Sequence, residues 1–163
     1  MKIIVKQLTE ENLLPSISIW NEVVEEGRAF PQEELLGEEE GRTFFAQQSY
    51  TGVALDEETG EVVGMYILHP NNVGRCGHIC NASYAIKRGL RGQHIGAYIV
   101  QDCIKQGGRQ GFKVLQFNAV VASNTVALKL YKKMGFTQLG VIPQGFRNIE
   151  GKYEDIIPHY ILL

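Results

Sequence analysis

The sequence predicts an α/β (α+β) domain: a mixed central β-sheet of six to seven strands flanked by about four helices. Three observations carry that expectation. Segments rich in β-branched residues alternate with segments whose apolar positions recur at helical spacing. Clusters of Gly, Asn, Asp and Thr separate them. Over the 163 residues, 44% are hydrophobic and 21% charged, the composition of an ordinary globular chain with one well-buried core. No internal repeat, low-complexity tract or Pro/Gly/Ser linker divides the chain, so one domain over residues 1–163 is expected.

The first strand is read over residues 3–8, where Ile3, Ile4 and Val5 favour extended backbone. Thr9 then offers an N-cap ahead of Glu10 and Glu11. A helix follows from about Glu10 or Pro15 to Glu26, with Ile17, Trp20, Val23 and Val24 on one face and Gly27 as its stop. The acidic stretch 33–40 reads as a short second helix with a solvated charged face and no further role. Residues 51–55 and 62–68 form a hairpin across the turn-rich stretch 56–60. A strand over 78–86 leads through a loop, 87–93, into an amphipathic helix from about His94 to Gln106, ended by Gly107 and Gly108. Residues 114–120 are a strand and 124–134 a helix stopped by Gly135. Two more strands cover 137–142 and roughly 154–163, with Pro158 at a bulge or edge. The expected order is βααβββαβαββ.

Charge and composition exclude several functions. Lys+Arg 16 against Asp+Glu 18 gives 16 − 18 = −2, unlike the positive excess of a general nucleic-acid binder. No run approaches the roughly 20 apolar residues that cross a bilayer, so no membrane partner is expected. Residues 1–7 lack a signal-peptide core and cleavage site, which points to the cytoplasm. Three cysteines, Cys76, Cys80 and Cys103, are too few and odd in number for a disulfide framework.

The most informative segment is the strand, loop and helix around residues 84–97, with glycines at 89, 92 and 96. A helix N-terminus offers unpaired N–H groups and partial positive charge, and glycines let a bulky anion approach the backbone. Such a turn can hold a pyrophosphate; it can also be merely a tight strand-to-helix connection. No Gly-Lys-Ser/Thr ending and no Gly-x-Gly-x-x-Gly fingerprint is present.

Together with the stretch 118–136, this segment resembles the GCN5-related N-acetyltransferase (GNAT) family. The family's acyl-CoA loop, Gln/Arg-x-x-Gly-x-Gly/Ala, is matched by Arg91-Gly92-Gln93-His94-Ile95-Gly96 except at His94, where the family usually has glycine. Its next motif is matched by Asn124, Ala127, Tyr131 and Gly135-Phe136. The likeness covers the last two-thirds of the chain in motifs and the first third in element order only. It implies the GNAT fold and acetyl-CoA as cosubstrate, bound by Ala85, Ile86, Arg91, Gly92, Gln93, His94, Ile95, Gly96, Ala97, Asn124 and Tyr131.

Acyl transfer from a thioester requires removal of a proton from the amine, stabilisation of an oxyanion, and protonation of the departing sulfur. By resemblance, backbone N–H groups around Tyr84 to Ile86 stabilise the oxyanion, and Tyr131 is the general acid, its phenol protonated at neutral pH with a reference pKa of about 10. A tyrosine packed under the sheet is the alternative. The base is open. No Glu or Asp lies between Glu61 and Asp102, so the strand carboxylate of many relatives is missing. His78 is the titratable candidate there; a buried structural histidine, with water as base, explains it equally well. On an extended strand Cys76, His78 and Cys80 share one face, but one Cys pair does not supply the four ligands of structural zinc, and no metal is expected.

A narrower likeness, to the branch of fungal azetidine-2-carboxylate (proline-analogue) N-acetyltransferases, lies in the stretch 74–82 with Phe117-Asn118 and Ser123-Asn124. It implies roles in catalysis and small-substrate recognition for Asn81, Asn118 and Asn124. An amide holds an amine or a carboxylate without adding charge. A strand-bulge residue, a strand-end cap and a helix N-cap are the respective structural alternatives. The expected function is thus acetyl transfer from acetyl-CoA to the amine of a small molecule, an amino acid or proline analogue among the options. Acetylation of a protein or peptide is the alternative, and a non-catalytic acyl-CoA sensor the third. A homodimer is left open.

Overall fold

Strand-forming residues at both ends of the chain and amphipathic helices between them assemble one eight-stranded sheet in the computed structural model, which describes all residues from Met1 to Leu163. Strands β1 (Ile3–Gln7), β2 (Tyr50–Asp56), β3 (Val62–Pro70) and β4 (Ile79–Ile86) pair antiparallel, each with the next. β5 (Val114–Val121) joins β4 in parallel, and β8 (Tyr153–Leu162) returns antiparallel on β5. The short β6 (Thr137–Gln138) and β7 (Ile142–Arg147) pair with different stretches of β8. Helices α1 (Leu13–Glu26) and α2 (Glu38–Ala46) cover one face, and α3 (Ile95–Arg109) crosses the other between the parallel strands β4 and β5, with α4 (Thr125–Lys133) beside it.

Each face closes a core. On the α1 side Trp20, 1% exposed, packs its indole 4.4 Å from the Phe30 ring and against Val53, Met65 and Ile67 of the sheet. On the α3 side Ile95, Ile99, Val100 and Cys103 pack on Tyr66, Leu68, Leu115 and Phe117. Burying such side chains contributes about 1.5–3 kcal/mol each before conformational entropy is subtracted. Gly52 is required by this core: a Cβ there would lie 2.0 Å from the ring of Tyr66, whose hydroxyl donates to Asp102 Oδ2 at 2.7 Å.

Four expectations are corrected. The second helix spans Glu38–Ala46, not 33–40, because Phe44 and Phe45 pack on Trp20 while the Asn21 side chain bonds both the N–H and the C=O of Leu36, holding that stretch in a loop. Gly107 and Gly108 do not end α3. The helix runs to Arg109, and Gly107 serves instead for close approach, since a Cβ there would lie 2.9 Å from Leu163 Cδ1. Residues 137–142 are not one strand; β6 stops at Gln138, and Ile142 begins a separate strand, β7, that forms a hairpin with β8. Residues 74–76 form a 3-10 turn, so Cys76, His78 and Cys80 do not share a strand face. Pro158 lies opposite an irregularity of β5, where the pairing jumps from Phe117↔His159 to Val120↔Ile157.

Candidate active site

The parallel pair β4 and β5 is short. It pairs only at Ile79↔Val114 and Cys80↔Leu115, and beyond these the strands separate. The Lys87 N–H donates to Val63 O at 2.9 Å, and the two-residue alternation of an antiparallel ladder then turns the N–H groups of Ala85 and Ser83 to β3 as well. The N–H groups of Ile86 and Tyr84 face the gap. Ala82, the next in that series, gives its N–H to Asn81 Oδ1 at 2.8 Å.

The gap opens into a cleft of about 210 Å³ that passes between the two strands. Asn81, Ser83 and Tyr84 line it from β4, Phe117 and Asn118 from β5, and Asn124, Ala127 and Tyr131 from α4. Ala29, Phe30 and Pro31 wall it from the α1 side. Tyr131 reaches it because Asn124 caps α4, its Oδ1 accepting from the Ala127 N–H at 3.2 Å, which sets the helix direction over the splay. The Tyr131 ring packs 4.6 Å from Phe117 and 5.5 Å from Phe136, and burial pushes its phenol above the ordinary tyrosine range. It is therefore a neutral O–H donor throughout the physiological range. His159, 1% exposed, stands edge-on to Tyr131; burial pushes its pKa down.

The loop 87–94 leads from the end of β4 into α3. Gly89 and Gly92 take left-handed backbone at φ 86° and 85°, and His94, exposed, takes it too at φ 63°. The backbone N–H groups from Arg91 through Gly96 have no partner within the chain. Loop and helix start together thus present a run of uncommitted donors, the arrangement that suits a pyrophosphate. Gly96 permits close packing, since a Cβ there would meet Leu130 Cδ2 at 3.2 Å and Ile86 Cδ1 at 3.4 Å. The Arg91 guanidinium is engaged by Glu26 at 2.6 Å, and Glu22 Oε2 accepts from the Arg88 N–H at 2.8 Å, which ties the loop to α1.

The structure brings Asn81, Asn118, Asn124 and Tyr131 to one cleft and places Ile86 and residues 91–97 along its approach. Ala85 is 1% exposed, packs with the α1-side core and turns its backbone to β3 rather than to the gap. His78 is not brought in. It precedes β4, its side chain is exposed, and it lies at the end where β4 and β5 are paired rather than where they part. Sequence reasoning missed Ser83, the Ala29–Pro31 wall and Asn71. The Asn71-Asn72 turn composition was the only local signal, and contacts across so many residues leave no pattern in sequence.

The sequence profile of the Acetyltransferase (GNAT) family matches residues 17–136. N-acetyltransferase aca1 of Schizosaccharomyces pombe is 28% identical over 168 residues, covering 93% of this chain and 79% of that protein. The structure of a GCN5-related N-acetyltransferase from Kribbella flavida is 30% identical and superposes with a TM-score of 0.88 over 99% of this chain and 98% of its own. A phosphinothricin acetyltransferase from Sinorhizobium meliloti, solved in complex with acetyl-CoA, has a TM-score of 0.90 at 20% identity, covering 100% of this chain and 89% of its own. The splayed parallel strands, the donor-lined loop and these likenesses converge: the chain belongs to the GNAT family and is an acetyl-CoA-dependent N-acetyltransferase.

Proposed function

We propose that the acceptor is a small molecule carrying a carboxylate beside its amine, an amino acid or a proline analogue such as azetidine-2-carboxylate. One observation carries this reading: the cleft asparagines have their amide oxygens committed inside the protein. Asn81 Oδ1 accepts from Ala82 N–H and Asn124 Oδ1 from Ala127 N–H. A backbone N–H can only donate, so it fixes which way each amide faces. Asn118 Oδ1 accepts from both Asn71 Nδ2 and Gln116 Nε2. The side-chain N–H groups that these asparagines keep free suit a carboxylate, and an amide adds no charge beside the amine. The small cleft volume and the Ala29–Pro31 wall also favour a compact acceptor over a protein segment.

In this mechanism the uncommitted N–H groups of Arg91, Gly92, Gln93, His94, Ile95 and Gly96 hold the pyrophosphate of acetyl-CoA; the Ala97 N–H is taken by His94 O and closes the first turn of α3. The N–H groups of Tyr84 and Ile86 face the oxyanion that develops as the amine nitrogen bonds to the carbonyl carbon. As the carbon–sulfur bond breaks, Tyr131 passes its phenolic proton to the sulfur and regains one from solvent. Asn81, Asn118 and Asn124 orient the acceptor. No carboxylate or imidazole lines the cleft, so the amine proton leaves through water; His78 has no part in it.

A thiol-release screen tests the reading with acetyl-CoA and free amino acids, azetidine-2-carboxylate, polyamines, aminoglycosides and short peptides. Turnover confined to the carboxylate-bearing small amines is expected. Equal or faster turnover of peptides or polyamines refutes it.

A further inference from the structure

The geometry points to Asn71 as a positioning residue that holds Asn118 at the cleft. This inference rests on the carboxylate-acceptor reading above. β5 breaks its ladder with β8 at Asn118 and Ala119, between the pairs Phe117↔His159 and Val120↔Ile157. β4 has by then parted from β5. Asn118 is therefore exposed on a strand segment that neither neighbour holds by its ladder. The constraint comes from a third element. Asn71 directly follows β3, and its N–H donates to Ile79 O at 2.8 Å, which closes the β3–β4 connection. Its side chain pairs reciprocally with Asn118: Asn71 Nδ2 donates to Asn118 Oδ1 at 3.0 Å, and Asn118 Nδ2 donates to Asn71 Oδ1 at 2.6 Å. Gln116 Nε2 adds a second donor to Asn118 Oδ1 at 3.1 Å.

Two consequences follow. The amide pair spans the mouth of the splay as a side-chain strut where backbone pairing has ended. It also uses up most of the hydrogen-bonding capacity of the Asn118 amide. With both lone pairs of Oδ1 filled and one Nδ2 hydrogen given to Asn71, a single N–H remains for the acceptor. Asn71 thereby holds the Asn118 amide in place with one N–H left over, the group a carboxylate requires, while standing outside the cleft itself.

The test compares azetidine-2-carboxylate with azetidine, the same ring without the carboxylate, in wild type, Asn71→Ala, Asn118→Ala and the double variant. Expected is a loss of about fivefold to tenfold in kcat/KM for azetidine-2-carboxylate in Asn71→Ala. The KM for acetyl-CoA stays unchanged, and no further loss appears when Asn71→Ala is added to Asn118→Ala. Losses that multiply overturn the inference, because Asn71 would then act other than through Asn118. Nitrogen-15 spectra of the side-chain amides read the strut without turnover: one Asn118 Nδ2 hydrogen is expected to exchange slowly in wild type and quickly in Asn71→Ala. An Asn118 signal untouched by Asn71→Ala, or one with both hydrogens protected, overturns it. If wild type acetylates azetidine as well as azetidine-2-carboxylate, the carboxylate reading fails, and the amide spectra still decide the strut.

Discussion

His94→Gly is expected to make the protein more stable while leaving acetyl-CoA binding nearly intact. His94 is the N-cap of α3 with φ 63° and ψ 12°, left-handed backbone in which a Cβ crowds the following carbonyl. That conformation costs a non-glycine residue about 1–2 kcal/mol. The imidazole is exposed and makes no capping bond, so removing it forfeits little packing. Against the relief stands the larger backbone entropy that glycine loses on folding, about 0.5–1 kcal/mol. The difference is a net gain of about 0.5–1 kcal/mol, or a rise in Tm of roughly 1–4 °C for a chain of this length. His94→Ala is the control, since it removes the imidazole and keeps the Cβ. Thermal and urea unfolding of the three proteins without cofactor should rank glycine above histidine and histidine level with or above alanine. The KM for acetyl-CoA should change by less than about threefold, because the proposed anion cradle is built of backbone N–H groups that the substitution retains. A glycine variant no more stable than the alanine variant refutes the strain argument. A large rise in KM in the glycine variant assigns the phosphate contact to the imidazole instead.

Tyr131→Phe keeps the ring packing against Phe117 and Phe136 and removes only the hydroxyl; kcat should fall by about 10²- to 10⁴-fold with the KM for acetyl-CoA unchanged, and steady-state kinetics with normal turnover would end its assignment as the acid. Because burial raises the Tyr131 pKa above its ordinary value of 10.0, the group stays protonated and able to donate as pH rises through that value. The pH profile of kcat/KM should therefore climb with the fraction of unprotonated acceptor amine, its midpoint tracking the acceptor's own pKa, and should not descend before about pH 10. A descending limb between pH 7 and 9, or a fixed midpoint near that of imidazole for every acceptor, would contradict it. Gly52→Ala forces a Cβ to within 2.0 Å of the tethered Tyr66 ring; overpacking of this kind costs about 1–3 kcal/mol, read as a lowered midpoint in urea, and an unchanged midpoint would show that the ring can move aside.

Much of the fold was legible along the chain because it depends on local chemistry. The periodicity of Ile17, Trp20, Val23 and Val24 defines α1, and Gly27 ends it in left-handed backbone at φ 61°. The strand, glycine loop and helix around residues 84–97 appear where short-range pattern placed them. Local pattern failed where a distant partner overrides it. Phe44 and Phe45 are drawn into α2 by Trp20, and Gly107 lies within α3, where a larger residue would meet Leu163, rather than after its end.

The same division holds at the site. The family motifs, the cleft asparagines and the tyrosine of α4 are readable along the chain, since each is a residue type at a fixed spacing. That His78 stands apart from the cleft, that each asparagine engages its amide oxygen within the protein, and that Asn71 comes from another strand connection to brace Asn118 emerge on folding alone. Those facts depend on where β4 parts from β5 and on which donors then meet which acceptors. Hydrogen-bond direction is a property of groups brought together by folding.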